Sequence, residues 1–190
     1  MKKMAIALLL AVLLVAAPAH AGVPGRFLQY PDISGNTIVF SWERDLWTVP
    51  ATGGVATRLT THPGMENAPK FSPDGKQIAF QGQYDGLNIY VVPVTGGAPA
   101  RVTFMGAGVQ TIGWTPDGTR IIYRSSHENT FRPITKLYTV TPAGGMPEQM
   151  PMERAVLCSY SPDGSKLAYN RRGNEEYYWK RYKDGQYTNI

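Results

Sequence analysis

The sequence predicts an all-β fold, a partial β-propeller of four-stranded antiparallel blades with three modules and an incomplete fourth. Three observations carry that prediction. The pentapeptide "FSPDG" at 71–75 returns as "WTPDG" at 114–118 and "YSPDG" at 160–164. Pro73 and Pro116 are 43 residues apart and Pro116 and Pro162 are 46 apart, a period typical of propeller arrays. The segment after each turn is apolar at successive positions, as a strand covered on both faces requires.

The elements follow in chain order. Residues 1–21 combine Lys2 and Lys3, an apolar run from Met4 to Ala17, and the small-residue exit Ala19-His20-Ala21. That is the pattern of a secretory signal peptide, so cleavage after Ala21 and a periplasmic mature chain beginning at Gly22 are expected. The apolar run is 14 residues long, short of the roughly 20 that span hydrocarbon, so no stable membrane insertion is expected. No cysteine lies near the cleavage site to carry a lipid.

Composition narrows the function classes. With 43% hydrophobic and 17% charged residues in 190, the chain is globular rather than disordered. Loss of the leader lowers the formal charge from +5 to +3. The one basic cluster is Arg171-Arg172 with Lys180-Arg181-Tyr182-Lys183, too little to track a phosphate backbone, so no nucleic-acid partner is expected. Cys158 is the only cysteine, so no disulfide forms within the chain, and its neighbours Val156 and Leu157 point to a buried, inert thiol.

Each module opens on a turn whose letters have physical causes. Proline pre-sets φ at the first central position, aspartate accepts from nearby backbone amides, and glycine supplies the positive φ that closes the hairpin. Asp74, Asp117 and Asp163 are therefore turn residues rather than catalytic or metal-binding carboxylates. A degenerate copy, "YPDISGNTIVF", places Pro31 42 residues before Pro73.

A second strand follows in each module: "TIVF" at 37–40, "QIAF" at 77–80, "RIIY" at 120–123 and "KLAY" at 166–169. Ile38, Ile78, Ile121 and Leu167 share a face with the aromatics two residues on, and Val39, Ala79, Ile122 and Ala168 make the opposite face apolar too. Third strands at 46–49, 89–92 and 137–140 run into the glycine pairs at 53–54, 96–97 and 144–145, which suit tight hairpins. Fourth strands are legible at 56–60 and 100–104, whereas "MPEQMPME" in the third module is poor in strand formers.

Sheets apolar on both faces suit blades held between neighbours, here at about 24–62, 66–105, 109–152 and 155–190. The mature 169 residues hold three modules and half of a fourth. Asn189-Ile190 aligns with Asn88-Ile89 at the start of a third strand, which leads us to expect the front portion of a larger protein.

The repeats "FSPDGKQIAF", "WTPDGTRIIY" and "YSPDGSKLAY" resemble the PD40 class of WD40-like propeller repeats of TolB-type proteins, prolyl-oligopeptidase relatives and tricorn-type peptidases. The segment "YYWKRYKDGQYTNI" at 177–190 and the opening "YPDISGNTIVFSWERDLWTVPATGGVATRLT" look more narrowly like the amino-terminal propeller of tricorn-like proteases. Asp184-Gly185 stands where that family usually has Gly-Gly. The resemblance implies a serine peptidase in which propellers precede a PDZ domain and the Ser/His catalytic domains and channel peptides toward them. Family relatives can be cytosolic, whereas the leader here points to export.

None of the family's catalytic motifs falls within this sequence. The mature chain has two histidines, His62 in "THPG" and His127 in "SSHENT", both in loops, and no Gly-x-Ser-x-Gly elbow. No metal-ligand spacing and no cofactor motif is present, so no metal, no cofactor and no catalytic residue is expected. The role implied for the blades is to gate or channel peptides or unfolded segments, with downstream blades and peptidase domains as partners and homo-oligomerisation left open. Arg132, Arg171, Arg172 and Lys180, in loops 125–135 and 171–187, are the candidate contacts for peptide carboxylates. A TolB-like propeller serving as an interaction platform is the alternative.

Overall fold

The computed structural model describes residues 27–105, 108–126 and 134–171, which form fourteen strands in four antiparallel sheets. The leader at 1–21 and the segment at 177–190 lie outside the described residues. The first sheet holds β1 (Gln29–Ser34), β2 (Thr37–Trp42), β3 (Asp45–Pro50) and β4 (Thr57–Arg58) in sequence order. The second holds β5 (Glu66–Phe71), β6 (Gln77–Tyr84), β7 (Gly86–Pro93) and β8 (Ala100–Arg101). The third holds β9 (Val109–Trp114), β10 (Ile121–Ser125), β11 (Lys136–Val140) and β12 (Glu148–Gln149), and the fourth sheet pairs β13 (Leu157–Tyr160) with β14 (Leu167–Asn170). The weakly signalled fourth strand of the third module thus forms, with the same two-residue length as β4 and β8.

The turn chemistry is present in full and includes one residue the sequence reading passed over. In the second module Gly75 takes φ +70°, its N–H donates to the Ser72 carbonyl at 2.8 Å, and Asp74 accepts from the Lys76 N–H at 3.1 Å. The Ser72 hydroxyl donates to Asp74 at 2.6 Å and accepts the Gln77 N–H at 3.0 Å, so the residue before proline locks the loop from inside. Thr115 and Ser161 repeat this role beside Asp117 and Asp163. The turns also stack along one end of the blades. A Cβ at Gly164 would approach Pro116 Cβ to 3.1 Å, so glycine is needed there for its neighbour as well as for its φ of +71°.

The first module departs from the expected alignment. Pro31 lies inside β1 and corresponds to Pro69 in β5, while the turn is the shorter Gly35-Asn36 pair joining Ser34 to Thr37. Positive φ at Gly35 alone, +54°, is the pattern of a type II′ hairpin, which needs no proline. Tyr30 and Ala68, the residues before those prolines, both have positive φ, at 51° and 50°. Each sits where the register of its strand slips by a β-bulge.

The expected two-faced strands fill successive cores. Ile78, Phe80, Tyr90 and Val92 pack with Val39 and Leu46 of the first sheet. On the opposite face of the same strands, Ala79, Ile89 and Val91 pack with Val109, Trp114, Ile121 and Tyr123 of the third sheet. Ile122 and Leu137 turn the other way, toward Tyr160, Leu167 and Tyr169. Each fully buried side chain of this size contributes about 1.5–3 kcal/mol, so a middle sheet draws its stability from both neighbours.

The first strands run side by side, β1 next to β5 and β5 next to β9. Asp32 accepts the Phe71 N–H at 2.8 Å and pairs with Lys70 at 3.3 Å, and the Trp114 indole N–H donates to the Lys70 carbonyl at 3.0 Å. These bonds join one sheet to the next at their inner strands.

Candidate functional site

Antiparallel order sends the connections of each sheet alternately to its two ends. One end carries the Pro-Asp-Gly turns and the Gly-Gly hairpins. The other carries the second-to-third-strand connections at Glu43-Arg44, at Asp85 and between β10 and β11, together with the linkers from one blade to the next. Arg171, exposed just after β14, belongs to this second end. Arg132, Arg172, Lys180 and His127 lie outside the described residues, so Arg171 is the one candidate contact that the structure places.

Sequence reasoning missed other cations at this end. Arg44 is exposed in a two-residue hairpin in which Glu43 and Arg44 both take positive φ, 47° and 76°. The guanidinium of Arg101 lies 4.5 Å over the ring of Phe104, which is 73% exposed. Arg101 is half-buried and donates to the Thr103 carbonyl at 2.9 Å, so the exposed Arg44 guanidinium and the exposed Phe104 ring are the surfaces here that suit a carboxylate and an apolar side chain of a peptide.

Beneath the Glu43-Arg44 hairpin lies a buried polar cluster. Glu66, at the start of β5, is fully buried. Its carboxylate accepts the Leu46 N–H of β3 at 3.2 Å, the Thr60 hydroxyl from the linker, and the Tyr84 hydroxyl from the end of β6. Its own N–H donates to the Arg44 carbonyl at 2.9 Å. Burial pushes the Glu66 carboxyl above its ordinary range against the opposite pull of these three hydrogen bonds. Burial and the Glu66 carboxylate together hold the Tyr84 phenol protonated far above its usual value. Asp45 nearby is paired with Arg58 at 2.7 Å. A glutamate in a polar run carries no sequence mark of burial, and its partners lie 6, 18 and 20 residues away.

The other residues singled out from sequence are occupied structurally. Asp74, Asp117 and Asp163 are held within their own turns. His62 is exposed, accepts the Gly64 N–H at 2.9 Å through Nδ1, and stacks on Tyr84 with ring centroids 3.6 Å apart. Burial pushes the half-buried Cys158 thiol up to about 11, which keeps it protonated and unreactive at neutral pH.

Four-stranded antiparallel sheets, packed face to face with their first strands adjacent, define the blades of a β-propeller. Comparison with known proteins places the molecule within that class. The chain belongs to the family described as "Tricorn protease N-terminal beta propeller domain", which matches residues 25–190. Tricorn protease homolog 1 of Streptomyces coelicolor is 35% identical over 71 residues, covering 37% of this chain and 6% of that protein. The Tol-Pal system protein TolB of Francisella tularensis subsp. mediasiatica is 34% identical over 79 residues, covering 40% of this chain and 17% of TolB. The crystal structure of the tricorn protease superposes with a TM-score of 0.62 at 25% identity, over 70% of this chain and 14% of that one. The chain thus matches under a fifth of the length of each of these relatives.

Proposed function

We propose that these blades are the non-catalytic propeller portion of an exported tricorn-like serine peptidase, where they gate or channel peptides toward a peptidase site and support assembly. The observation that carries this reading is the family match over residues 25–190, nearly the whole mature chain. In this reading residues 1–21 are the export signal and the peptides pass the end of the blades that bears Arg171. Arg132, Arg171, Arg172 and Lys180 contact peptide carboxylates there, joined by Arg44. Photo-cross-linking of a peptide with a free carboxyl terminus to the full-length protein tests this. A charge reversal such as Arg171→Glu is expected to weaken capture about tenfold, the worth of one charge-assisted hydrogen bond. Capture unchanged in Arg171→Glu, Arg172→Glu and Lys180→Glu alike would overturn the contact assignment.

The stretch shared with TolB favours a second reading, a periplasmic propeller that serves as an interaction platform without chemistry. The downstream reading frame separates the two. PDZ and serine-peptidase domains support the first, and a chain that closes after its last blade supports the second.

A further inference from the structure

The seams between blades are chemically unequal. Glu66 opens β5, and the residue in the same place at the start of β9 is Val109, buried and apolar. At the next seam Ala155 takes the place, its N–H donating to the Thr135 carbonyl at 3.1 Å as the Glu66 N–H does to Arg44. The threonine that bonds the third strand, Thr60 in the first blade, recurs as Thr103, which accepts the Ile89 N–H at 3.0 Å. Thr103 donates to the neutral Asn88 amide at 3.3 Å, whereas Thr60 donates to a carboxylate. Among the described seams, an acidic side chain sits in this position only between the first and second blades.

From that geometry we infer that Glu66 is a proton-operated clasp, which sets how firmly the first blade is docked on the second. The carboxylate spans the seam, with Leu46 and Thr60 on the first blade and its exit, and Tyr84 on the second. The charged and titratable groups around it come from every element packed there. Asp45 of β3 pairs with Arg58 of β4 yet still adds its like charge to the burial that raises the Glu66 carboxyl, His62 of the linker covers Tyr84, and the Tyr90 ring centroid of β7 lies 4.3 Å from that of Tyr84. Glu43 and Arg44 are exposed in the hairpin whose carbonyl receives the Glu66 N–H. No cation among these is hydrogen-bonded to the Glu66 carboxylate; its donors are an amide and two hydroxyls.

The direction follows from proton linkage. A carboxyl held above its free value binds its proton more tightly when docked than when undocked. Docking is therefore strongest at low pH and weakens as pH rises through the docked value. Each unit by which burial lifts the carboxyl is worth about tenfold in the docking equilibrium.

Amide hydrogen exchange, read residue by residue by NMR on the isotope-labelled chain, tests the clasp. After correction for intrinsic rates, protection at Leu46 and Glu66 should rise on going from about pH 8 to about pH 4.5. Protection at Ala155, which brings no carboxyl to the equivalent position, should stay constant, and Glu66→Gln should flatten the dependence at Leu46. Flat protection in the unmutated chain, an equal change at Ala155, or an unchanged dependence in Glu66→Gln would overturn the inference. If Glu66→Gln fails to fold, the Glu66 carboxyl carbon shift of the unmutated chain decides. A midpoint shared with Leu46 protection supports the clasp, and separate midpoints refute it.

Discussion

Replacing Gly64 by alanine should wedge the linker that enters the second blade away from the end of β6. A Cβ at this position would lie 2.1 Å from the Gln83 carbonyl oxygen and 2.8 Å from its carbon. That obstacle is backbone, so no side-chain rotation relieves it. The Gln83 N–H donates to the Met65 carbonyl at 2.8 Å, so the linker and the end of β6 are tied at the very place that must open. Forcing one methyl into such a contact costs about 1–3 kcal/mol. Loss of the Gln83–Met65 bond adds about 0.5–1.5 kcal/mol. The expected destabilisation of about 2–4 kcal/mol is a large share of the roughly 5–15 kcal/mol that holds a domain folded. Gly113→Ala is the control, because nothing lies within 4 Å of its Cβ and its φ is not positive. Urea unfolding followed by tryptophan fluorescence reads the difference as a shift in midpoint at constant slope. Equal midpoints for the two variants would refute the close approach of the linker to the Gln83 backbone.

Three further outcomes are expected. Trp114→Phe removes the indole bond to the Lys70 carbonyl and should cost about 1–2 kcal/mol in the same urea assay, with an unchanged midpoint refuting the tie between inner strands. Hydrogen bonds from Ser161 and Ser165 hold the Asp163 carboxyl down to about 2, so its turn contributes stability that is full above the ordinary carboxylate range and lost as pH falls toward that value. Asp163→Asn should therefore make the acid limb of a stability–pH profile shallower, and a superimposable limb would contradict the assignment. Replacing Glu43-Arg44 by Asn-Gly relieves two left-handed residues and should raise stability by about 1 kcal/mol, as read by the thermal midpoint; a lowered midpoint would mean that the hairpin is not strained.

The legible and illegible parts of this fold divide by the range of the interactions. Turn chemistry is local, so Pro73-Asp74-Gly75 and its copies announce themselves, and with them the strands that follow. Ile78 and Ala79 are adjacent in sequence and apolar on opposite faces, which foretold two cores, and they lie in two separate clusters. The inner strands were hidden because "QYPDIS" and "ENAPKF" carry proline and charge. Their bulges at Tyr30-Pro31 and Ala68-Pro69 are what accommodate those residues. The same short-range view led Pro31 to be aligned with a turn when it belongs to a strand. Of the site, Arg171 could be placed by following the module pattern to the end of its second strand. Glu66 could not, because its burial is created by Leu46, Thr60 and Tyr84, which meet only when two blades dock.

The central claim, that these blades guide peptides and do not cut them, is tested most directly by peptide hydrolysis with purified residues 22–190 beside the full-length protein. Hydrolysis by the full-length protein and none by the blades alone is the expected result. Sustained hydrolysis by residues 22–190, sensitive to a serine-directed inhibitor and surviving repurification, would contradict it.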